Sequence, residues 1–180
     1  MLIKNAAAIV TGGASGMGAA TARLLSQLGA KVALLDVNVD AAQQFAREIG
    51  AIAISCDVTQ EASVEKAIAT AESTHGIAQI CVNCAGIIHA RRMVNTQGPM
   101  PLLEFQRVIQ INLIGTFNVM RLFATRLMTL PVEDKNIERG IIINTASVAA
   151  YEGQIGQTAY SASKGGINNN AAFNIFIFHR

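Results

Sequence analysis

Residues 6–18, Ala6-Ala7-Ala8-Ile9-Val10-Thr11-Gly12-Gly13-Ala14-Ser15-Gly16-Met17-Gly18, decide the fold. The apolar run Ala6–Thr11 reads as a buried strand, and the glycines that follow break it into a tight turn. From Met17 the pattern becomes helical and runs to Leu28, where Gly29 supplies the left-handed residue that ends a helix. A strand, a glycine turn and a helix in that order let the backbone approach a phosphate closely. The amino end of the helix then offers free N–H groups and a positive dipole to it. The spacing is not Gly-x-Gly-x-x-Gly, so the general dinucleotide fingerprint is not met literally, and a glycine turn can also be purely structural.

Outward from this unit the alternation repeats. Lys31–Asp36 reads as a strand, Asp40–Ile49 as a helix closed by Gly50, and Ala51–Cys56 as a third strand. Gln60–His75 is a helix closed by Gly76, and Ile77–Cys84 a fourth strand. Gly86–Met100 reads as a long polar and basic loop, Leu102–Met128 as one or two helices, and Arg139–Ala146 as a fifth strand. Strands alternating with helices over short links predict an α/β fold, a Rossmann-like doubly wound parallel sheet with right-handed crossovers. The composition agrees. At 51% hydrophobic and 14% charged residues, the chain suits a sheet covered on both faces. A helix should begin near Tyr160, but Asn168-Asn169-Asn170 is a poor helix interior and Phe173–Phe178 reads as strand-like.

Several function classes fall away. Lysine and arginine total 14 against 12 acids, and Arg91-Arg92 is the densest basic spot, too little for a nucleic-acid surface. No apolar run approaches the ~18 residues that span a bilayer, and the first residues lack the form of a signal peptide. The expectation is a soluble cytoplasmic chain, or one of the mitochondrial matrix in a eukaryote, with no nucleic-acid or membrane partner. Cys81 and Cys84 form a Cys-x-x-Cys, yet zinc needs two more ligands and His75, His89 and His179 show no paired spacing. Cys56, Cys81 and Cys84 therefore read as buried or strand-end thiols, with no metal site.

Asp36 falls at the carboxyl end of the second predicted strand. A carboxylate there accepts from a ribose 2′-hydroxyl and repels a 2′-phosphate. Ala14, Ser15, Val37 and Asn38 supply no cation for such a phosphate, so NAD is favoured over NADP. Tyr160 and Lys164 stand four apart, on one face of a helix. A free phenol has a pKa near ~10, and a neighbouring ammonium lowers it toward the range of a useful general base. Ser147, at the end of the fifth strand, is placed to hold a substrate oxygen.

On these residues the chain resembles the short-chain dehydrogenase/reductase family. The glycine motif matches at Gly12, Gly16 and Gly18, with Ser15 and Met17 between them. Asn83-Cys84-Ala85-Gly86 matches the Asn-Ala-Gly motif with Cys84 in place of the usual Asn, and Asp57-Val58 matches the adenine-side pair. The resemblance implies Asn112, Ser147, Tyr160 and Lys164 as the catalytic set. In the family Tyr is the acid/base, Lys orients the cofactor, Ser polarises the carbonyl and Asn positions a water. It implies a cofactor site of Gly12, Ser15, Gly16, Met17, Gly18, Asp36, Asp57, Val58, Asn83, Ala85 and Gly86, joined by Tyr160 and Lys164. Residues 82–87, 105–108, 112–121 and 143–166 are most similar to the branch of type 2 3-hydroxyacyl-CoA dehydrogenases, also counted as type 10 17β-hydroxysteroid dehydrogenases. That branch implies an acyl-CoA substrate, oxidised with NAD to the 3-oxo thioester or formed in reverse. Similar enzymes are tetramers. Arg91 and Arg92 read as solvated arginines before they read as contacts to CoA phosphates. The alternatives are a steroid, sugar alcohol or acyl-carrier-protein thioester as substrate, or a truncated NAD-binding fragment without turnover. The family pattern covers residues 6–167, and 1–167 reads as an incomplete dinucleotide-binding short-chain dehydrogenase domain. Residues 168–180 form an atypical tail that reads as a truncation or an altered chain end, without the family's C-terminal strands and helices.

Overall fold

Strand β1 (Ala7–Thr11) is buried along its whole length, as a central strand of a doubly covered sheet must be. The structure, a computed structural model, describes residues 2–131 and 139–174. After β1 come α1 (Gly16–Gln27), β2 (Lys31–Asp36), α2 (Val39–Ile49), β3 (Ile52–Ser55), α3 (Glu61–His75) and β4 (Ile80–Asn83). A short ribbon, β5 (Val94–Asn95) and β6 (Gly98–Pro99), precedes α4 (Leu102–Ile109), α5 (Gly115–Leu127), β7 (Ile141–Asn144) and α6 (Thr158–Asn174). The main sheet has the order β3-β2-β1-β4-β7, every pair parallel. This is the Rossmann-like arrangement expected, with the chain reversing direction across the sheet between β1 and β4.

Successive side chains of a strand point to opposite faces, and the two core layers follow from that. Ala7, Ile9, Ala33, Leu35 and Cys81 pack under α3 and α5 with Val64, Ala67, Val119, Phe123 and Leu127. Ala8, Val10, Val32, Leu34, Ile80 and Val82 pack on the other face with Ala22 of α1 and Ala46 of α2. Phe123 and Leu127 are fully buried, each worth about 1.5–3 kcal/mol of transfer free energy. By length and mean hydropathy the helical stretch Leu102–Leu127 would suffice to cross a membrane. Its buried side chains instead fill this core. Among the described residues β7 is an edge strand, with Ile141 and Ile143 exposed.

Four expectations need correction. β4 is ladder-paired over Ile80–Asn83 rather than Ile77–Cys84, and β7 over Ile141–Asn144 rather than Arg139–Ala146. The apolar flank Ile77-Ala78 outruns the pairing of β4, and the pairing of β7 stops short of Arg139-Gly140 and Thr145-Ala146 on either side. The 86–100 loop holds the antiparallel β5–β6 ribbon, closed by Gln97 N–H donating to Asn95 Oδ1 at 2.8 Å. The α4–α5 stretch, expected as one or two helices, is one continuous helical run through a π-helical turn at Gln110–Ile114 and needs no correction. Finally, α6 runs through Asn168–Asn170 to Asn174. Tyr151 Oη donates to Asn168 Oδ1 at 2.9 Å and Asn169 Nδ2 to the Gly165 carbonyl at 3.0 Å, so packing outweighs weak propensity there. The strand-like reading of 173–178 begins inside that helix, and its residues 175–178 lie outside the described residues.

Candidate active site

The glycine turn after β1 is built by close backbone approach. Gly12 takes φ 63°, and a Cβ there would stand 2.8 Å from the Ala85 nitrogen. At Gly18 it would stand 2.1 Å from the Gly12 carbonyl oxygen. A larger residue at Gly18 would push α1 away from the turn after β1, and one at Gly12 would push off the Cys84-Ala85 backbone after β4. No side chain caps α1, since Ser15 makes no capping bond and the first turn holds no acid. Its amino end therefore keeps free N–H groups, and they open on a cleft of about 700 Å³ at the carboxyl edge of the sheet. Gly12, Ser15, Gly16, Met17, Gly18, Asp36, Asp57, Val58, Ala85 and Gly86 all line this cleft. The exposed Arg107, with Gln110 and Ile111, closes it from the α4 side. These three were not singled out by the sequence reading, because only tertiary packing carries α4 to the cleft.

The acidic groups are fixed before any ligand arrives. Asp36 Oδ2 accepts from Ala14 N–H at 3.0 Å and Oδ1 from Asn38 N–H at 2.9 Å. Asp57 Oδ1 accepts from the Thr59 amide at 2.9 Å and its hydroxyl at 2.7 Å. Asn118 Nδ2 holds the Val58 carbonyl at 2.9 Å. An uncapped helix end facing a cleft with a preset carboxylate at the β2 terminus fits the pyrophosphate and adenosine ribose of a nicotinamide dinucleotide.

Asn83, Asn112, Ser147, Tyr160 and Lys164 stand outside the cleft lining and serve other geometry. Asn83 is buried in a polar ladder across the strand ends. Thr11 Oγ1 donates to Asn83 Oδ1 at 3.4 Å, and Asn83 Nδ2 donates to Asn144 Oδ1 at 2.9 Å. The amides of Cys84 and Ala85 both donate to Thr11 Oγ1 at 3.2 Å. Thr145 Oγ1 donates to the Asn83 carbonyl at 2.8 Å, and the Thr145 carbonyl accepts from Lys164 Nζ at 2.6 Å. One polar chain thus links the phosphate turn to the lysine. Lys164 is 5% exposed. Burial holds its pKa below the usual lysine value, with nearby Cys84 opposing this. Its Nζ lies 5.6 Å from the centre of the Tyr160 ring, one helical turn away.

Asn112 owes its position to the π-helical turn, which rotates it inward; it is fully buried. Its Oδ1 accepts from Ile87 N–H at 2.8 Å, while Nδ2 donates to the Ile87 carbonyl at 2.9 Å and Ser163 Oγ at 3.1 Å. The side chain thus joins α6 to the strand-end loop. Ser147 Oγ accepts from Ala149 N–H at 3.2 Å, and the turn after it packs against α6. Cys56 and Cys81 are buried free thiols, pushed by burial up to about 11 and about 12, while Cys84 is half-buried at the cleft. All three fit the structural reading of the cysteines. Arg91 does not reach outward as a free cation. It pairs with Glu104, Nη1 to Oε1 at 2.6 Å, whereas Arg92 is exposed.

Comparison with known proteins extends this geometry. A family model described as "short chain dehydrogenase" matches residues 6–172. The chain is 48% identical to 3-hydroxyacyl-CoA dehydrogenase type-2 of Homo sapiens over 169 residues, 92% of this chain and 64% of that protein. It is 46% identical to the protein of the same name from Drosophila melanogaster, over 92% of this chain and 66% of that one. The crystal structure of 3-hydroxyacyl-CoA dehydrogenase type-2 from Mycobacterium avium superposes with a TM-score of 0.85 at 40% identity, covering 92% of this chain and 66% of that one. The chain therefore spans less than two thirds of the length of the curated relatives it matches, 64–66% in these two.

Proposed function

Since this chain belongs to the short-chain dehydrogenase family, we propose that it binds NAD and interconverts a secondary alcohol with its ketone. The proposed substrate pair is a 3-hydroxyacyl-CoA and its 3-oxoacyl-CoA. The observation that carries this reading is the Tyr160–Lys164 pair on α6, beside a cleft whose glycine turn and Asp36 suit a dinucleotide without a 2′-phosphate. The thioester substrate rests on the names of the relatives. When bound, NAD supplies the two-electron acceptor. In the alcohol-to-ketone direction Tyr160 Oη takes the hydroxyl proton, and the Lys164 ammonium favours the phenolate that does so. Ser147 Oγ already accepts from Ala149 N–H, which leaves its own hydrogen to donate to the substrate oxygen. Asn112 acts on the site by holding Ile87 and Ser163.

Initial rates with NAD and a 3-hydroxyacyl-CoA test the reading. Tyr160→Phe should lower kcat roughly 10²–10⁴-fold while leaving the NADH dissociation constant within about twofold. Activity near the parent level in Tyr160→Phe would remove the acid/base assignment. Turnover of a steroid alcohol but no thioester would move the substrate to that class.

A further inference from the structure

The segment 87–99 leaves the cleft after Gly86 and returns to α4, and one carboxylate ties it down. Glu104, in the first turn of α4, accepts from Arg91 Nη1 through Oε1 and lies 2.6 Å from His89 Nε2 through Oε2. A carboxylate oxygen offers only acceptors, so His89 Nε2 carries the hydrogen of that bond. The same stretch is bonded on its far side, where Arg91 N–H donates to the Gly156 carbonyl at 2.8 Å. Gly156 belongs to the connection between Ser147 and Tyr160, four residues ahead of the tyrosine. Glu104 thus joins three pieces of chain: α4, the 87–99 strap and the 148–157 connection.

Both strap and connection display apolar side chains to solvent. Ile88, Met93 and Val94 are exposed on one, and Val148, Tyr151 and Ile155 on the other. The connection runs directly between Ser147 and Tyr160 and is bonded to the strap through Gly156, so the two segments border the place where a substrate's reacting carbon would lie. We infer that Glu104 is a positioning residue that holds the strap against the connection and so sets how firmly the apolar tail of the substrate is gripped. The tail in question is that of the thioester of the proposed function, and this part of the inference rests on that reading. Glu104 touches neither cleft nor reacting atoms; it acts through His89 and Arg91.

Glu104→Gln keeps the shape of the side chain and removes its charge. The first readout needs no turnover. Trypsin cutting after Arg91 and Arg92 in the NADH complex should accelerate at least fivefold in Glu104→Gln, because local opening of the strap controls cleavage. The NADH dissociation constant should stay within twofold. His89→Gln should accelerate cleavage by a smaller factor. The second readout compares KM for a four-carbon and a ten-carbon 3-hydroxyacyl-CoA. The long substrate should lose at least tenfold in KM and the short one less than twofold, with kcat nearly unchanged for both. Unchanged trypsin rates in both variants would overturn the latch whatever the enzyme turns over. Faster cleavage with equal KM changes for the two chain lengths would overturn its part in specificity. If the parent chain turns over no 3-hydroxyacyl-CoA, the substrate reading falls, and the trypsin rates alone decide whether Glu104 holds the strap.

Discussion

Lys164 carries an ammonium that burial disfavours, 5% exposed and with its pKa held below the ordinary lysine value. Its bond to the Thr145 carbonyl offsets part of that cost. Because the folded-state value is the lower one, the unfolded chain binds this proton more tightly, and stability rises with pH between the folded value and ~10.4. The buried Cys56 and Cys81 thiols act in the opposite sense. Their raised values stabilise below the unfolded thiol pKa, and that contribution is lost as pH rises through about 11 and about 12. A difference between two proteins that share both thiols isolates the lysine. Lys164→Met keeps the length of the stem and removes the charge. It should abolish turnover, melt at pH 7 no lower than the parent, and lose its relative advantage as pH rises toward ~10. A melting temperature several degrees below the parent at pH 7 would mean that the Thr145 bond outweighs the cost of burying the charge.

Among elements, the carboxyl ends of β1, β4 and β7 matter most. In register Thr11 lies beside Asn83, and Asn83 beside Asn144, so one residue type at each strand end builds the polar ladder. Asn83→Leu would leave the part-buried Asn144 Oδ1 without its donor and the hydrogen of the buried Thr11 hydroxyl without its acceptor, although the Cys84 and Ala85 amides still donate to Thr11 Oγ1. With about 1–3 kcal/mol for each unsatisfied group, the expected loss is roughly 2–4 kcal/mol in urea unfolding. A loss under about 0.5 kcal/mol would show that the ladder is not what fixes the strand ends. This ladder shows the limit of sequence reading. The strands of the main sheet and α1, α2 and α3 were legible, because apolar runs, helical spacing and terminal glycines repeat locally. The glycine turn and Asp36 were legible for the same reason, each being one step along the chain from a strand end. Asn83 was recognised as a site residue, but its partners Thr11 and Asn144 lie on other strands and leave no mark on its neighbours. The β5 and β6 strands are too short for a period, and the π-helical turn at Asn112 sits inside an unbroken apolar helix pattern. Glu104, His89 and Arg91 meet only in three dimensions. The Asn168–Asn170 run misled because propensity is a weak prior and the side chains of Asn168 and Asn169 find partners at Tyr151 and on α6.

At the scale of the whole molecule, the cleft is only as good as the sheet beneath it. The chain spans 64–66% of the length of its human and fly relatives, and β7, which leads to Ser147, is an edge strand among the described residues, with Ile141 and Ile143 exposed. The part of the molecule that faces a dinucleotide is nonetheless made chiefly from the ends of β1, β2 and β4 and from α1, within the doubly covered centre, with α4 closing the cleft from beside it. Binding there should therefore stabilise the entire cooperative unit. A ligand at 100 times its dissociation constant that binds only the folded state adds ~2.7 kcal/mol. For a domain of this size that corresponds to a rise of about 5–11 °C in Tm. NADH should produce this shift and NADPH a clearly smaller one, because the Asp36 carboxylate would face the 2′-phosphate and its neighbours Ala14, Ser15, Val37 and Asn38 carry no cation. Asp36→Ala should bring the two shifts together. A melt indifferent to NADH would mean that the cleft does not hold a dinucleotide, and equal shifts for both cofactors in the parent would take the discrimination away from Asp36. A shift with NADH and none with NADPH, narrowing in Asp36→Ala, would tie cofactor choice to one carboxylate held by two backbone N–H groups.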